Sequence, residues 1–189
     1  MKLRSNTKTN MAFHWNWSRR TFSRNIESIL IINENYRKRS NSKLKVDTKL
    51  NSKVALIKCY PGLNPEIFDF YLDKKYKGFV VEATGLGHTP TLGKYSLLPK
   101  IEKVVNSSLP VVITSQCLYG RVHPTAYHNL IELSKRGVIF AEDMLPEVAL
   151  VKLMWVLGHT NKLEKVREMM LTNYVGEINK RIEAKDFLV

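Results

Sequence analysis

From Val54 onward the apolar positions of the chain switch repeatedly between two spacings. Short, nearly continuous apolar runs at Val54–Tyr60, Phe79–Thr84, Pro110–Cys117 and Val138–Phe140 predict four strands. Between them, apolar residues fall three and four apart, the period of one buried helix face. The first helical segment is marked by Asn64 before Pro65 and runs to about Lys75. The second carries Leu97, Leu98, Ile101, Val104 and Val105, and the third spans Thr125 to Arg136, with Gly137 placed to end it in the left-handed conformation. After the fourth strand, Pro146 opens a helix that reaches Leu157 and is closed by Gly158, with Asp143 as an upstream cap. A last helix begins near Asn161, at capping-box spacing from Glu164, and carries Leu163, Val166, Met169 and Met170 on one side.

This alternation predicts an α/β domain, a small parallel sheet of four strands flanked by helices. The run Val111-Val112-Ile113 lacks polar alternation, as a strand covered on both faces requires. Residues that meet a ligand in such a sheet sit in the loops after the strands. Candidate chemistry therefore lies in the segments 85–90 and 118–124.

Charge and turn residues divide the chain in two. Residues 1–53 carry 13 Lys and Arg against Glu27, Glu34 and Asp47, a net of +10, whereas residues 54–189 carry 17 against 14, a net of +3. All 9 glycines and all 7 prolines lie beyond residue 60, so the turn chemistry of a compact fold begins only there. The expected organisation is a basic, mobile connector remnant over residues 1–49 and one α/β domain over residues 50–189. In the extension, the aromatic run Phe13-His14-Trp15-Asn16-Trp17 among basic residues also suits a nucleic-acid-binding role.

No apolar run approaches the roughly 20 residues of a membrane span. The patch Ile29-Leu30-Ile31-Ile32 lies too late and is too short for a signal peptide. The expectation is a cytoplasmic chain with no membrane partner. Cys59 and Cys117 fall inside strand candidates, which suits reduced, buried thiols rather than a disulfide or a metal site.

In the first loop, Gly85 and Gly87 let backbone N–H groups turn toward an anion or a substrate carboxylate, but the third glycine of a dinucleotide fingerprint is absent. Thr89 follows, and His88 is the one titratable group there, suited to binding, to proton transfer or simply to fixing the loop. The second loop adds Tyr119, Arg121 and His123, with Tyr127 and His128 on the first turn of the helix behind it. Arg121 has the geometry to clamp a carboxylate in two-pronged fashion, although a solvated loop of the same composition would do nothing. His123 and His128 are five apart with no third ligand at matching spacing, so no metal site is expected.

Three motifs, Val-Ala-Leu-Ile-Lys-Cys-Tyr-Pro-Gly at 54–62, Thr-Gly-Leu-Gly-His-Thr-Pro at 84–90 and Thr-Ser-Gln-Cys-Leu-Tyr-Gly-Arg-Val at 114–122, resemble the C-terminal domain of L-asparaginase-like proteins. Glu-Asp-Met-Leu-Pro-Glu at 142–147, Lys-Leu-Met-Trp-Val-Leu-Gly-His-Thr at 152–160 and Met-Met-Leu-Thr-Asn-Tyr at 169–174 narrow the resemblance to the D-type subunits of the archaeal glutamyl-tRNA(Gln) amidotransferase. It covers about residues 46–189. The resemblance implies a protein that releases ammonia from glutamine or asparagine for a partner subunit, which uses ATP and magnesium to amidate glutamate on tRNA(Gln). It implies no cofactor bound by this chain itself.

In that family the nucleophile is a Thr activated by a Lys and assisted by a Thr-Asp pair in the N-terminal domain. This sequence has no Thr-Gly-Gly-Thr motif and no Thr-Asp dipeptide. The resemblance thus points to the half that forms the oligomer contact and presents loops to a neighbour's active site, with no catalytic residue of its own. By resemblance those loop residues are Gly85, Gly87, His88, Thr89, Tyr119, Arg121 and Tyr127, the last where simpler asparaginases place an acidic group. Expected partners are a second copy, the tRNA-amidating subunit, a separate catalytic half, and tRNA through the basic N-terminus. The rival classes are a standalone basic nucleic-acid-binding α/β module and a truncated product without independent activity.

Overall fold

A computed structural model describes residues 22–24, 29–31, 43, 45–179 and 181. A short antiparallel pair, β1 (Phe22–Arg24) and β2 (Ile29–Ile31), comes first. Of the expected connector, residues 43 and 45–49 are also described; the remainder, including the Phe13–Trp17 run, lies outside the described residues. The domain then follows as β3 (Val54–Lys58), α1 (Ile67–Asp73), β4 (Gly78–Ala83), α2 (Leu98–Asn106), β5 (Val111–Ser115), α3 (His128–Lys135), β6 (Ile139–Phe140), α4 (Pro146–His159) and α5 (Leu163–Leu171). The four later strands form one parallel sheet in the order β3-β4-β5-β6.

Because the strand order never reverses, the three crossover helices α1 to α3 cover the same face. Alternate strand residues separate accordingly: Phe79, Val81 and Ile113 pack with Phe68, Ile101 and Leu130, while Val80, Val112 and Ile139 pack with Leu153, Val156, Val166 and Met170. α4 and α5 therefore close the second face after the last strand. Rings of Phe68 and Phe79 stack at 5.6 Å in the first layer, where truncation to alanine costs about 3–5 kcal/mol. At Gly78 a Cβ would stand 2.8 Å from Leu157 Cδ1 and 3.0 Å from Leu153 Cδ2, so the missing side chain is what lets α4 reach the sheet.

Several local expectations are corrected by tertiary structure. Gly158 does not close α4 but sits inside it, and a Cβ there would lie 2.4 Å from the Lys49 carbonyl oxygen. The segment 47–51 crosses α4 at that point, with Asn51 N–H donating to the Met154 carbonyl (2.9 Å) and Asp47 facing Trp155 Nε1 (3.3 Å) and His159 Nε2 (2.8 Å). The Lys49 N–H, with His159 and Trp155, holds the Asp47 carboxyl below its ordinary range. Asp143 does not cap α4, and Asn161 does not cap α5, whose flanking Lys162 N–H is taken by Thr160 Oγ1 (3.2 Å). Helix α3 starts at His128 rather than Thr125, leaving Tyr127 as an extended residue at its entrance.

A buried ion pair ties the end of the described chain to α4. Lys152 Nζ lies 2.7 Å from Glu177 Oε1, with side chains only 5% and 2% exposed, and also donates to the Thr172 carbonyl (2.6 Å). Backbone N–H groups of Tyr174 and Val175 donate to the Glu177 carboxylate. Burial opposes its ionisation, but Lys152 and these N–H groups outweigh that penalty and hold the carboxyl below its ordinary value.

Candidate functional site

The carboxy ends of the parallel strands carry the candidate loops, and three side chains fix their geometry. Gln116, just past β5, donates through Nε2 to the carbonyls of Cys59 (2.6 Å) and Glu82 (3.1 Å), which joins the ends of β3, β4 and β5. Ser115 Oγ donates to the Gly85 carbonyl (2.6 Å) and accepts from Cys117 N–H (3.0 Å). Glu82 pairs with Lys58 at 2.8 Å on the rim. Burial, reinforced by the Glu82 charge, pushes the Cys59 thiol up to about 12, so it is an inert packing group at neutral pH. Cys117 departs from expectation: Ser115 ends the strand, and Cys117 is exposed in the bend beyond it.

The first loop is a closed ring. Thr84 and His88 form an isolated antiparallel bridge, with N–H to carbonyl distances of 3.0 and 2.8 Å, and Thr84 Oγ1 also donates to the His88 carbonyl (3.2 Å). Closing so tight a ring needs left-handed backbone at Gly85 (φ 51°) and Gly87 (φ 110°). Gly87 further lies where a Cβ would be 3.3 Å from both Ile113 and Val122. The His123 N–H donates to the Leu86 carbonyl (2.9 Å), so the two candidate loops are tied together.

The structure brings His88 and Tyr127 into one cluster, their rings 4.9 Å apart. Thr89 beside them is buried, and its hydroxyl has no hydrogen-bond partner within the described protein. A buried hydroxyl without a partner costs free energy comparable to a lost hydrogen bond. Tyr119 is half-buried in the second loop.

Arg121 points elsewhere. Its guanidinium pairs with the Glu142 carboxylate and donates to the Asn179 carbonyl (2.7 Å). The carboxylate it clamps belongs to its own chain. Glu142 holds a left-handed φ of 60°, its carbonyl accepts from Val122 N–H (2.9 Å), and the neighbouring Asp143 accepts from Asn179 N–H (2.9 Å) and Nδ2 (2.7 Å). Arg121, Glu142, Asp143 and Asn179 thus lock the second loop, the turn after β6 and the tail into one unit. Gln116, Ser115 and Asn179 were not singled out by the sequence; the partners that join them to other segments are 30 to 58 residues away and leave no local signal. Among the described residues, no three His, Cys, Asp or Glu side chains are grouped to hold a metal ion.

An open four-stranded parallel sheet with its carboxy-edge loops locked together is a rigid platform for presenting binding residues. Residues 53–170 match the glutaminase/asparaginase C-terminal domain, and the chain belongs to that family. It is similar to the D-type subunit of the glutamyl-tRNA(Gln) amidotransferase of Pyrococcus abyssi, 56% identical over 150 residues that make up 79% of this chain and 33% of the relative. The corresponding protein of Methanothermobacter thermautotrophicus is 47% identical over 155 residues, 82% of this chain and 35% of the relative. The chain spans about a third of the length of these relatives. Among solved structures, the thermostable L-asparaginase from Thermococcus kodakarensis superposes with a TM-score of 0.71 at 34% identity, over 85% of this chain and 47% of that one. L-asparaginase I from Vibrio cholerae gives 0.68 at 26% identity, over 80% and 46%.

Proposed function

We propose that this chain is the oligomerising and active-site-completing half of the ammonia-releasing component of a tRNA-dependent amidotransferase, which converts Glu-tRNA(Gln) to Gln-tRNA(Gln). The observation that carries the reading is the extent of the match: 79% of this chain aligns at 56% identity with one third of the Pyrococcus abyssi relative. Its 189 residues contain neither the Thr-Gly-Gly-Thr nor the Thr-Asp motif of the family's nucleophile region. The activated hydroxyl would come from a catalytic half, and ATP and magnesium would serve the tRNA-amidating partner in the cytoplasm.

What this chain offers is a preformed edge. Tyr60, Leu118 and Tyr127 are exposed on the carboxy-edge loops, and the Thr89 hydroxyl of the first candidate loop is buried without a hydrogen-bond partner among the described residues. Large apolar side chains gathered around a rigid edge suit burial by a neighbour. A second copy or the catalytic half would cover them, with His88 and Thr89 turned toward the bound amide.

Sedimentation of the purified chain, combined with an ammonia-release assay on glutamine and asparagine, tests this. The reading expects concentration-dependent association and no turnover. A clean monomer at high concentration, or turnover that persists through purification and depends on His88 or Cys117, overturns it.

A further inference from the structure

We infer that the amino edge of the parallel sheet, opposite the candidate site, is a docking surface for the phosphodiester backbone of an RNA. Lys53 precedes β3 and Lys77 precedes β4, and the Lys77 N–H donates to the Lys53 carbonyl over 2.6 Å, so the two positions are neighbours. Lys74 and Lys75 follow α1 beside them. All four are exposed. Among the described residues none of the four forms an ion pair, whereas Lys58, Lys103 and Arg121 on other surfaces pair with Glu82, Asp69 and Glu142. The nearby Asp73 acts electrostatically on Lys103.

The helix dipole explains part of this and not the whole. A lysine at the C-terminus of α1 complements the carbonyl end of the helix, which accounts for Lys74. Lys53 and Lys77 lie outside any helix. Lys75 holds a left-handed φ of 60°, a conformation in which glycine is unstrained and a long side chain is not. A cation thus stands at a position where local backbone preference disfavours it.

Aromatic rings accompany the charges. Lys53 Nζ lies 5.2 Å from the centroid of Tyr76, and Lys74 Nζ lies 5.9 Å from that of Phe70, whose residue is 52% exposed. Cations that follow a backbone and an open aromatic face that stacks on a base are the combination that binds single-stranded nucleic acid. Lys43, Lys45 and Lys49 are exposed, and the Lys49 backbone packs on Gly158, next in sequence to Leu157, which meets Gly78 at the start of β4. This surface does not involve the carboxy-edge loops, so it stands apart from the amidotransferase reading.

The test is fluorescence anisotropy of a labelled single-stranded RNA with the full chain across a salt series, for the wild type and for a Lys53→Gln, Lys74→Gln, Lys77→Gln triple variant. Losing three phosphate contacts should weaken binding roughly tenfold or more and lower the slope of log affinity against log salt by about two units. A triple Lys→Arg variant at the same positions should bind like the wild type, which separates charge from folding. Neutralising the paired residues Lys103, Lys135 and Lys165 should change little. An unchanged slope in the triple variant, loss only on neutralising Arg19, Arg20 and Arg24, displacement of the RNA by polyglutamate at equal charge, or tighter binding to phosphatidylserine vesicles would each overturn the inference. Ammonia release is read separately, so failure here leaves the amidotransferase reading untouched.

Discussion

The Lys49 carbonyl oxygen occupies the space in which Gly158 would carry its side chain, 2.4 Å from an ideal Cβ. An interior helical glycine costs about 1 kcal/mol relative to alanine, so its presence in α4 reflects the backbone that crosses it. Gly158→Ala should force the segment 47–51 away and separate Asp47 from His159. Limited trypsin digestion should then cut the variant at Lys49 and Lys53 much faster than the wild type. A variant that resists trypsin equally and melts higher, as helix propensity alone would dictate, would show that the crossing segment does not set the residue.

The Lys152–Glu177 pair makes stability acid-sensitive in a definite direction. Because the folded-state carboxyl of Glu177 titrates below its unfolded value of 4.5, its contribution is present above that pH and is lost as pH falls through the folded value. Glu177→Gln should flatten the acid limb of a stability–pH profile below about pH 4.5. Lys152→Met, which leaves the carboxylate buried without its counter-charge, should cost about 3–5 kcal/mol at neutral pH by chemical denaturation. Equal stability of Lys152→Met and the wild type at pH 7 would contradict the pairing.

Arg121 is expected to act through the tail rather than through a ligand. Arg121→Met removes both the Glu142 pair and the donor to the Asn179 carbonyl, at a cost of about 1–3 kcal/mol. Hydrogen exchange should accelerate at Asn179 and in residues 172–178, while amides of β4 and β5 stay protected. Protection unchanged in the tail would mean that the guanidinium is not holding it.

Strands were legible in the sequence because apolar runs such as Phe79–Val81 and Val111–Ile113 serve both faces of one sheet and need no polar alternation. Their ends were less so. The strand candidate through Cys117 stops at Ser115 because its hydroxyl captures the Cys117 N–H. Gly158 carried the local signature of a helix end and is explained only by a backbone more than a hundred residues earlier in the chain. In the candidate site, the loop made by Gly85, Gly87 and His88 was readable because it closes on itself. The use of Arg121 was not, since Glu142 and Asn179 lie 21 and 58 residues away. Asp143 looked like a cap from spacing alone, but in the fold it serves the Asn179 amides.

Complementation with a catalytic half should restore amidase activity. The chain is titrated into the portion of the Pyrococcus abyssi relative that its match leaves uncovered, and ammonia release from glutamine is followed. Activity should be negligible for each component alone, rise with added chain, and level off at equimolar ratio. It should fall at least tenfold when the chain carries His88→Ala together with Tyr127→Ala, two side chains that face each other on the carboxy edge. Ammonia release by the chain alone, or a mixture no more active than its parts although the two co-sediment, would contradict the claim that this domain completes an amidase site.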